Sequence, residues 1–350
     1  MLEKPDIPDQ LILSHVGAAY EVAAAHLTFL PLGADINTAV YRLVTQDQTA
    51  CFLKLRKKDF DPVTVDVPHF LKAQGVPAVI APLTTVQGQS WARMDGYHLI
   101  LYPYVQGENG YEAGLTHQQW VEFGSSMRKI HTVRLPAGLR KRIKQEDFTP
   151  RWREMVEGFQ AQIEHSHLDD PIAEDLAVFM RLKRDAIAHM VLRAGQLGRL
   201  LQTRVLELAL CHSDIHPGNL LICSSPAPSK PASSENSFYI VDWDNPILAP
   251  KERDLMFIGS GMARSWNEAG NQDLFFQGYG PVEIDLSILA YYRYERIIQD
   301  IAEFCQQIFS RTGSEEDRAQ AYRYFTGQFL PDNEVDIAFE TDRTIHRGAI

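Results

Sequence analysis

The chain has 350 residues, 45% of them apolar and 23% charged. A chain of this length buries roughly 75% of its extended surface, which excludes disorder throughout and fits one large domain or two lobes. Its 34 basic and 45 acidic residues leave a formal charge of −11, so nucleic acid and anionic lipid are poor partners for its surface.

Leu11, Leu13, Val16 and Tyr20 recur at loosely helical spacing between residues 7 and 25. Three strands are then expected, at residues 26–30, 39–44 and 51–55, with Gln46-Asp47-Gln48 turning the chain between the last two. Asp66 and Pro68 predict the start of a short helix ending near Gly75. Two more strands, 90–94 and 97–102, flank Asp95-Gly96, a strong hairpin signal. After Pro103 the pattern turns helical. Thr116 and Gln119 predict a capping box, with Trp120, Phe123, Met127 and Ile130 on one face behind it. Residues 171–201 read as a further long helical stretch, 206–211, 220–223 and 238–241 as short strands, and the rest as helices, one of them capped by Asp285. The Ser/Pro/Ala run over 224–237 is too poor in apolar residues to order itself and reads as a solvated loop.

The expected organisation is a small β-rich lobe over 1–102, a crossover at about 101–107, and a large, mainly helical lobe over 103–350. No apolar run approaches the roughly 20 residues a bilayer span needs, and Met1 to Asp6 lacks a signal-peptide start. The four scattered cysteines form no CxxC pair or zinc spacing and read as buried thiols. The expectation is a cytoplasmic protein with no membrane, nucleic-acid or obligate protein partner.

Chemistry concentrates in four places. Cys211-His212-Ser213-Asp214-Ile215-His216-Pro217-Gly218-Asn219 has the spacing H-x-D-x-x-x-x-N between two strands. Phosphoryl transfer to an alcohol needs these types: a carboxylate to orient the hydroxyl and accept its proton, and a neutral amide to meet a hard cation. Asp242 ends the apolar strand Tyr239-Ile240-Val241, where a metal-binding carboxylate would sit, and Asp244 follows two residues on. Lys54 is the lone cation in Phe52-Leu53-Lys54-Leu55, placed to reach phosphates from a sheet. The turn containing Gly33 and Asp35 lies where a loop would cover those phosphates. His212 is expected to hold the loop backbone. Each feature alone has a plain reading as a turn, core or surface residue; their joint order points to phosphoryl transfer.

On Lys54, Met127-Arg128-Lys129-Ile130-His131, the 212–219 loop and Asp242, the chain resembles the aminoglycoside phosphotransferase family. It is more similar still to the spectinomycin phosphotransferase branch, on residues 150–154, 211–216, 242–244, 248–259 and 292–297. The resemblance implies an α+β, protein-kinase-like fold of two lobes, with an antiparallel-sheet N-lobe and a helical C-lobe. It implies ATP (GTP left open) and Mg2+ as cofactors. It also implies Asp214 as catalytic base, Asn219 and Asp242 as metal ligands, and Lys54 as the phosphate-binding lysine. Tyr102, Tyr104 and Val105 fall at the hinge that would meet the nucleotide base. A cationic aminocyclitol wants carboxylates around it, and Asp244, Glu252, Glu295 and Asp300 are candidates, with Trp152 as a ring-packing candidate. A metabolite kinase for an amino alcohol or sugar, and a nucleotide-binding regulator without turnover, are the alternatives. One departure stands out. No Glu occurs between Asp59 and Gly75, where this fold places the partner of the lysine, leaving Asp61 or Asp66 as substitutes.

Overall fold

The computed structural model describes residues 4–32, 37–57, 60–165, 169–223, 237–261, 266, 268 and 270–347. It opens with α1 (Asp9–Tyr20), β1 (Ala24–Leu30), β2 (Thr38–Thr45), β3 (Ala50–Lys57), α2 (Val63–Ala73), β4 (Ala92–Met94), β5 (Tyr97–Pro103) and β6 (Gly107–Asn109). Next come α3 (His117–Thr132), α4 (Ala137–Arg140), β7 (Lys144–Gln145), α5 (Arg151–His165), α6 (Pro171–Leu182) and α7 (Arg184–Gln202). Strands β8 (Ala209–Cys211), β9 (Leu220–Cys223), β10 (Phe238–Ile240) and β11 (Ile247–Ala249) follow. Helices α8 (Glu252–Leu255), α9 (Asn271–Tyr279), α10 (Leu286–Phe309), α11 (Glu315–Gly327) and α12 (Glu334–Arg347) complete the described chain. The α+β class expected from the sequence is borne out, with an antiparallel-sheet N-terminal region and a helical C-terminal region.

Two compact units divide the chain: residues 1–144 with 212–247, and residues 145–211 with 248–350. The first unit is built on the antiparallel sheet β1-β2-β3-β5-β4. Alternation along β3 decides its two faces. Cys51, Leu53 and Leu55 point into a core with Tyr41, Leu43, Leu99, Leu101 and the α1 residues Ile12, Val16 and Tyr20. Burying each such side chain stabilises the unit by about 1.5–3 kcal/mol. The opposite face carries the other set, so Val40, Lys54 and Ile100 stand side by side across β2, β3 and β5. Gly96, at φ +75°, supplies the left-handed residue of the β4–β5 hairpin. A second antiparallel sheet, β10-β9-β6, carries the motif loop. The predicted Thr116/Gln119 box caps α3, whose Phe123 packs edge-on against Phe238 of β10.

In the second unit α10 is the axis. The Asp285 side chain accepts from the Ser287 and Ile288 backbone N–H groups, as expected, and the helix packs against α5, α7, α11 and α12. Among the described residues no helix is long and apolar enough to cross a membrane.

Three expectations need correction. Helix α2 starts at Val63, ahead of Asp66, because the Asp61 carboxylate accepts from the Val63 N–H at 2.9 Å; Pro68 lies inside the helix. The 171–201 stretch is two helices that break at Lys183, where φ −98° and ψ 10° end α6 and begin α7 without a Gly or Pro. Cys51, Cys211 and Cys305 are buried thiols, but Cys223 is partly exposed.

Candidate active site

Every residue of the predicted phosphate-handling set that falls among the described residues lies in the first unit. The loop after β8 is built around His212, which is fully buried. Its Nδ1 accepts the Asp214 N–H at 3.3 Å, so the ring proton sits on Nε2 and is donated to the Val241 carbonyl at 2.8 Å. The imidazole thus ties the loop to the strand end before Asp242, the structural role expected of it. Two more bonds join these segments: Ser213 Oγ donates to the Asn245 carbonyl at 2.7 Å, and the Val241 N–H to the Asn219 carbonyl at 2.9 Å. Trp243 packs edge-on against His212, with ring centroids 4.6 Å apart, and its indole N–H reaches the Ile240 carbonyl. The backbone here is strained where the tie is made, since Ser213 (φ +74°) and Asp242 (φ +63°) are both left-handed.

Asn219 closes the other end. Its Nδ2 donates to the Asp214 carbonyl at 2.8 Å and faces Asp214 Oδ2 at 3.4 Å, which leaves the amide oxygen as the atom able to meet a cation. His216 Nδ1 accepts the Gly218 N–H, and its Nε2 lies 3.6 Å from Asp214 Oδ2. The loop is also pinned from the residue after β6. Gly110 N–H donates to the Pro217 carbonyl at 2.9 Å, an approach so close that a Cβ there would lie 2.6 Å from that oxygen.

Lys54 reaches the Asp242 and Asp244 carboxylates. Its Nζ donates to Asp242 Oδ1 at 3.1 Å and to both Asp244 oxygens at 2.9 Å. Desolvation works against the ammonium, yet the two carboxylates outweigh it and hold its pKa above the ordinary lysine value. Conversely, desolvation pushes the Asp242 carboxyl upward, and the Lys54 charge overrides it and keeps it below the usual carboxylate range. Tyr102, beside this cluster, is pushed up to about 12 by burial against the opposing pull of Lys54. The Tyr104 N–H donates to the Ala50 carbonyl at 3.3 Å, and the Arg42 guanidinium lies over its ring; Val105 follows β5. Gly33, Asp35 and residues 224–236 of the expected loop lie outside the described residues.

The carboxylate and amide oxygens of Asp242 and Asn219 form an all-oxygen donor set, which fits a hard divalent cation. The cluster also contains two residues that the sequence reading passed over. Arg56 pairs with Asp244 at 3.1 Å, and His216 stands beside Asp214. Both were within reach of a simple signal, each lying two residues from a predicted site residue.

Asp244 apart, the substrate candidates lie in the second unit and are internally bonded. Glu252 accepts from the Asp285 N–H and Lys251. Asp300 pairs with Arg296 at 3.0 Å and accepts from Gln328. Trp152 is half-buried, with the Arg151 guanidinium 4.5 Å from its ring centre. Glu295 is 4% exposed and ion-paired to Arg153. Burial outweighs that partner and pushes its carboxyl from 4.5 up to about 7. A carboxylate pKa raised on folding makes the native chain bind more protons than the unfolded one between those values. Stability carried by this group is therefore present at acid pH and is lost as pH rises toward and past 7. Glu295→Gln should remove that slope. Urea unfolding of both proteins at pH 5 and pH 8 checks it, and a wild-type-minus-variant difference that is the same at both would refute the assignment.

The chain matches the profile of the phosphotransferase enzyme family over residues 28–258. It is similar to the crystal structure of spectinomycin phosphotransferase APH(9)-Ia in complex with ADP and spectinomycin: 33% identity, 97% of this chain and 100% of that chain covered, TM-score 0.87. The AMP-bound complex of the same enzyme gives 32% identity, 96% and 99% coverage, and a TM-score of 0.83. The amicoumacin kinase hAmiN, in complex with AMP-PNP, Ca2+ and Ami, shares the fold at 17% identity, with 95% and 96% covered and a TM-score of 0.61. No curated protein matches the chain.

Proposed function

The chain belongs to the phosphotransferase enzyme family, with its protein-kinase-like fold, and we propose that it transfers the γ-phosphoryl group of ATP to a hydroxyl of spectinomycin or a closely similar aminocyclitol. The observation that carries the substrate choice is the 33% identity, along essentially the whole chain, to an enzyme crystallised with ADP and spectinomycin.

In this reading residues 1–102 form the nucleotide-binding lobe and 103–350 the catalytic and substrate lobe, with the hinge at Tyr102, Tyr104 and Val105. Lys54 holds the nucleotide phosphates. Asn219 and Asp242 are the residues that would hold Mg2+, which when bound neutralises phosphate charge. Asp214 orients the acceptor hydroxyl in line with the phosphorus and takes its proton as the oxygen attacks. Asn219 keeps the Asp214 carboxylate and backbone in register for that step. Phosphoryl transfer is mostly positioning and charge stabilisation, so the rigid ties through His212 and Asn219 supply what the chemistry asks of the protein.

The test is ADP release from purified protein with Mg-ATP and a panel of spectinomycin, kanamycin-type aminoglycosides, choline, homoserine and simple sugars. Release with spectinomycin alone supports the proposal. Release only with an amino alcohol or sugar keeps the kinase chemistry and rejects this substrate. ATP binding with no release across the panel favours a regulatory protein.

A further inference from the structure

We propose that Asp244, with the Arg56 charge beside it, is the positioning residue for Lys54 and takes over the part that a glutamate on α2 would otherwise play. The inference rests on the reading of Lys54 as the phosphate-binding lysine, and it moves Asp244 from the acceptor side of the reaction to the nucleotide side.

Three observations carry it. First, among the described residues the acids on and just before α2 are engaged elsewhere: Asp66 is paired with Arg142 at 2.6 Å, and the Asp61 carboxylate accepts the Val63 N–H. Second, Lys54 and Arg56 are two apart on β3, so they project from the same face of the sheet, and both converge on Asp244. Lys54 Nζ sits 2.9 Å from each of its oxygens and Arg56 lies 3.1 Å from Oδ1. Third, the two aspartates differ in shielding: the Asp244 side chain is 23% exposed and that of Asp242 50%.

The division of labour follows from that difference. An ammonium as shielded as that of Lys54, 13% exposed, needs a constant counter-charge. If Asp242 alone supplied it, turning Asp242 toward a cation would strip Lys54 at the moment phosphates arrive. With Asp244 held by both cations, Asp242 is released for the metal and Lys54 stays aimed. Arg56 has a further effect. Its guanidinium, 3.1 Å from Oδ1, sets a second positive charge against Asp244, so the carboxylate is drawn toward the β3 side of the cluster where Lys54 lies.

The experiment compares wild type with Asp244→Asn, Asp244→Glu, Arg56→Gln, Lys54→Met and the Asp244→Asn/Lys54→Met pair. Calorimetry gives the Mg-ATP dissociation constant, and steady-state assays give kcat and the two KM values. Asp244→Asn should weaken Mg-ATP about tenfold and lower kcat, with the acceptor KM within about twofold of wild type. Asp244→Glu should recover most of the loss, and Arg56→Gln should repeat the pattern more weakly. In the Lys54→Met background Asp244→Asn should add nothing to the nucleotide constant. The proposal is overturned if Asp244→Asn leaves Mg-ATP affinity unchanged and raises the acceptor KM, or if its effect adds in full to that of Lys54→Met. Should Asp244→Asn fail to fold, Arg56→Gln and Asp244→Glu carry the same comparison. A wild-type protein that binds Mg-ATP but transfers to no acceptor refutes the transfer reading alone, since the binding cycle still measures the Lys54–Asp244 coupling. One that binds no Mg-ATP refutes both.

Discussion

Replacing Asp214 with alanine should lower kcat by about three orders of magnitude and leave the Mg-ATP dissociation constant within about twofold of wild type. The split follows from where the carboxylate is held. Its main-chain N–H is fixed on His212 and its carbonyl on Asn219, so the loop keeps its shape when the side chain is cut back. What disappears is the group that orients and deprotonates the acceptor. Coupled ADP release and calorimetry on the same preparation measure both halves. Near-normal turnover would remove Asp214 from the reaction; a parallel loss of nucleotide binding would make it part of the cation site.

Asp242→Asn should have the complementary profile: a loss of metal-dependent nucleotide affinity of about a hundredfold or more. Asparagine is the informative replacement because Asp242 sits at φ +63°, a conformation asparagine tolerates and alanine does not readily adopt. The variant therefore removes charge without forcing the backbone. Lys54 keeps the bidentate contact with Asp244, so the folded protein should survive. Titration of ATP with Mg2+ and with EDTA isolates the effect. Equal affinity of wild type and variant in Mg2+ would rule out the ligand role.

Much of this site could be read before any coordinates, and the reason is chemical. A base, a neutral amide and a strand lysine are residue types that phosphoryl transfer demands, and their order along the chain survives folding as loop and strand positions. The capping box at Thr116 and the Asp285 cap were legible for a similar reason, since both are satisfied within a few residues of chain. What could not be read depends on distance. Asp244 meets Lys54 across 190 residues, and nothing local marks either as the other's partner. Strands such as β6 and β11 are only three residues long, too short to show a period of two. The break at Lys183 carries no Gly or Pro, and at α2 Asp66 and Pro68 are the conspicuous start signals although the Asp61 carboxylate sets the start.

The pairing of β9 with β10 bears on how long the connection between them can be. Phe238 faces Ile222, and the Cys223 N–H closes on the Ser237 carbonyl at 3.0 Å, so the connection that begins at residue 224 is sealed at its base. The motif loop is tied to residues 241–245 outside that connection, through His212 on the Val241 carbonyl and Ser213 on the Asn245 carbonyl. Lengthening a connection closed in this way costs only about 0.6 kcal/mol per doubling. Stability therefore constrains the length of sequence between Cys223 and Ser237 only weakly, because the pairing of β9 with β10 is complete without it.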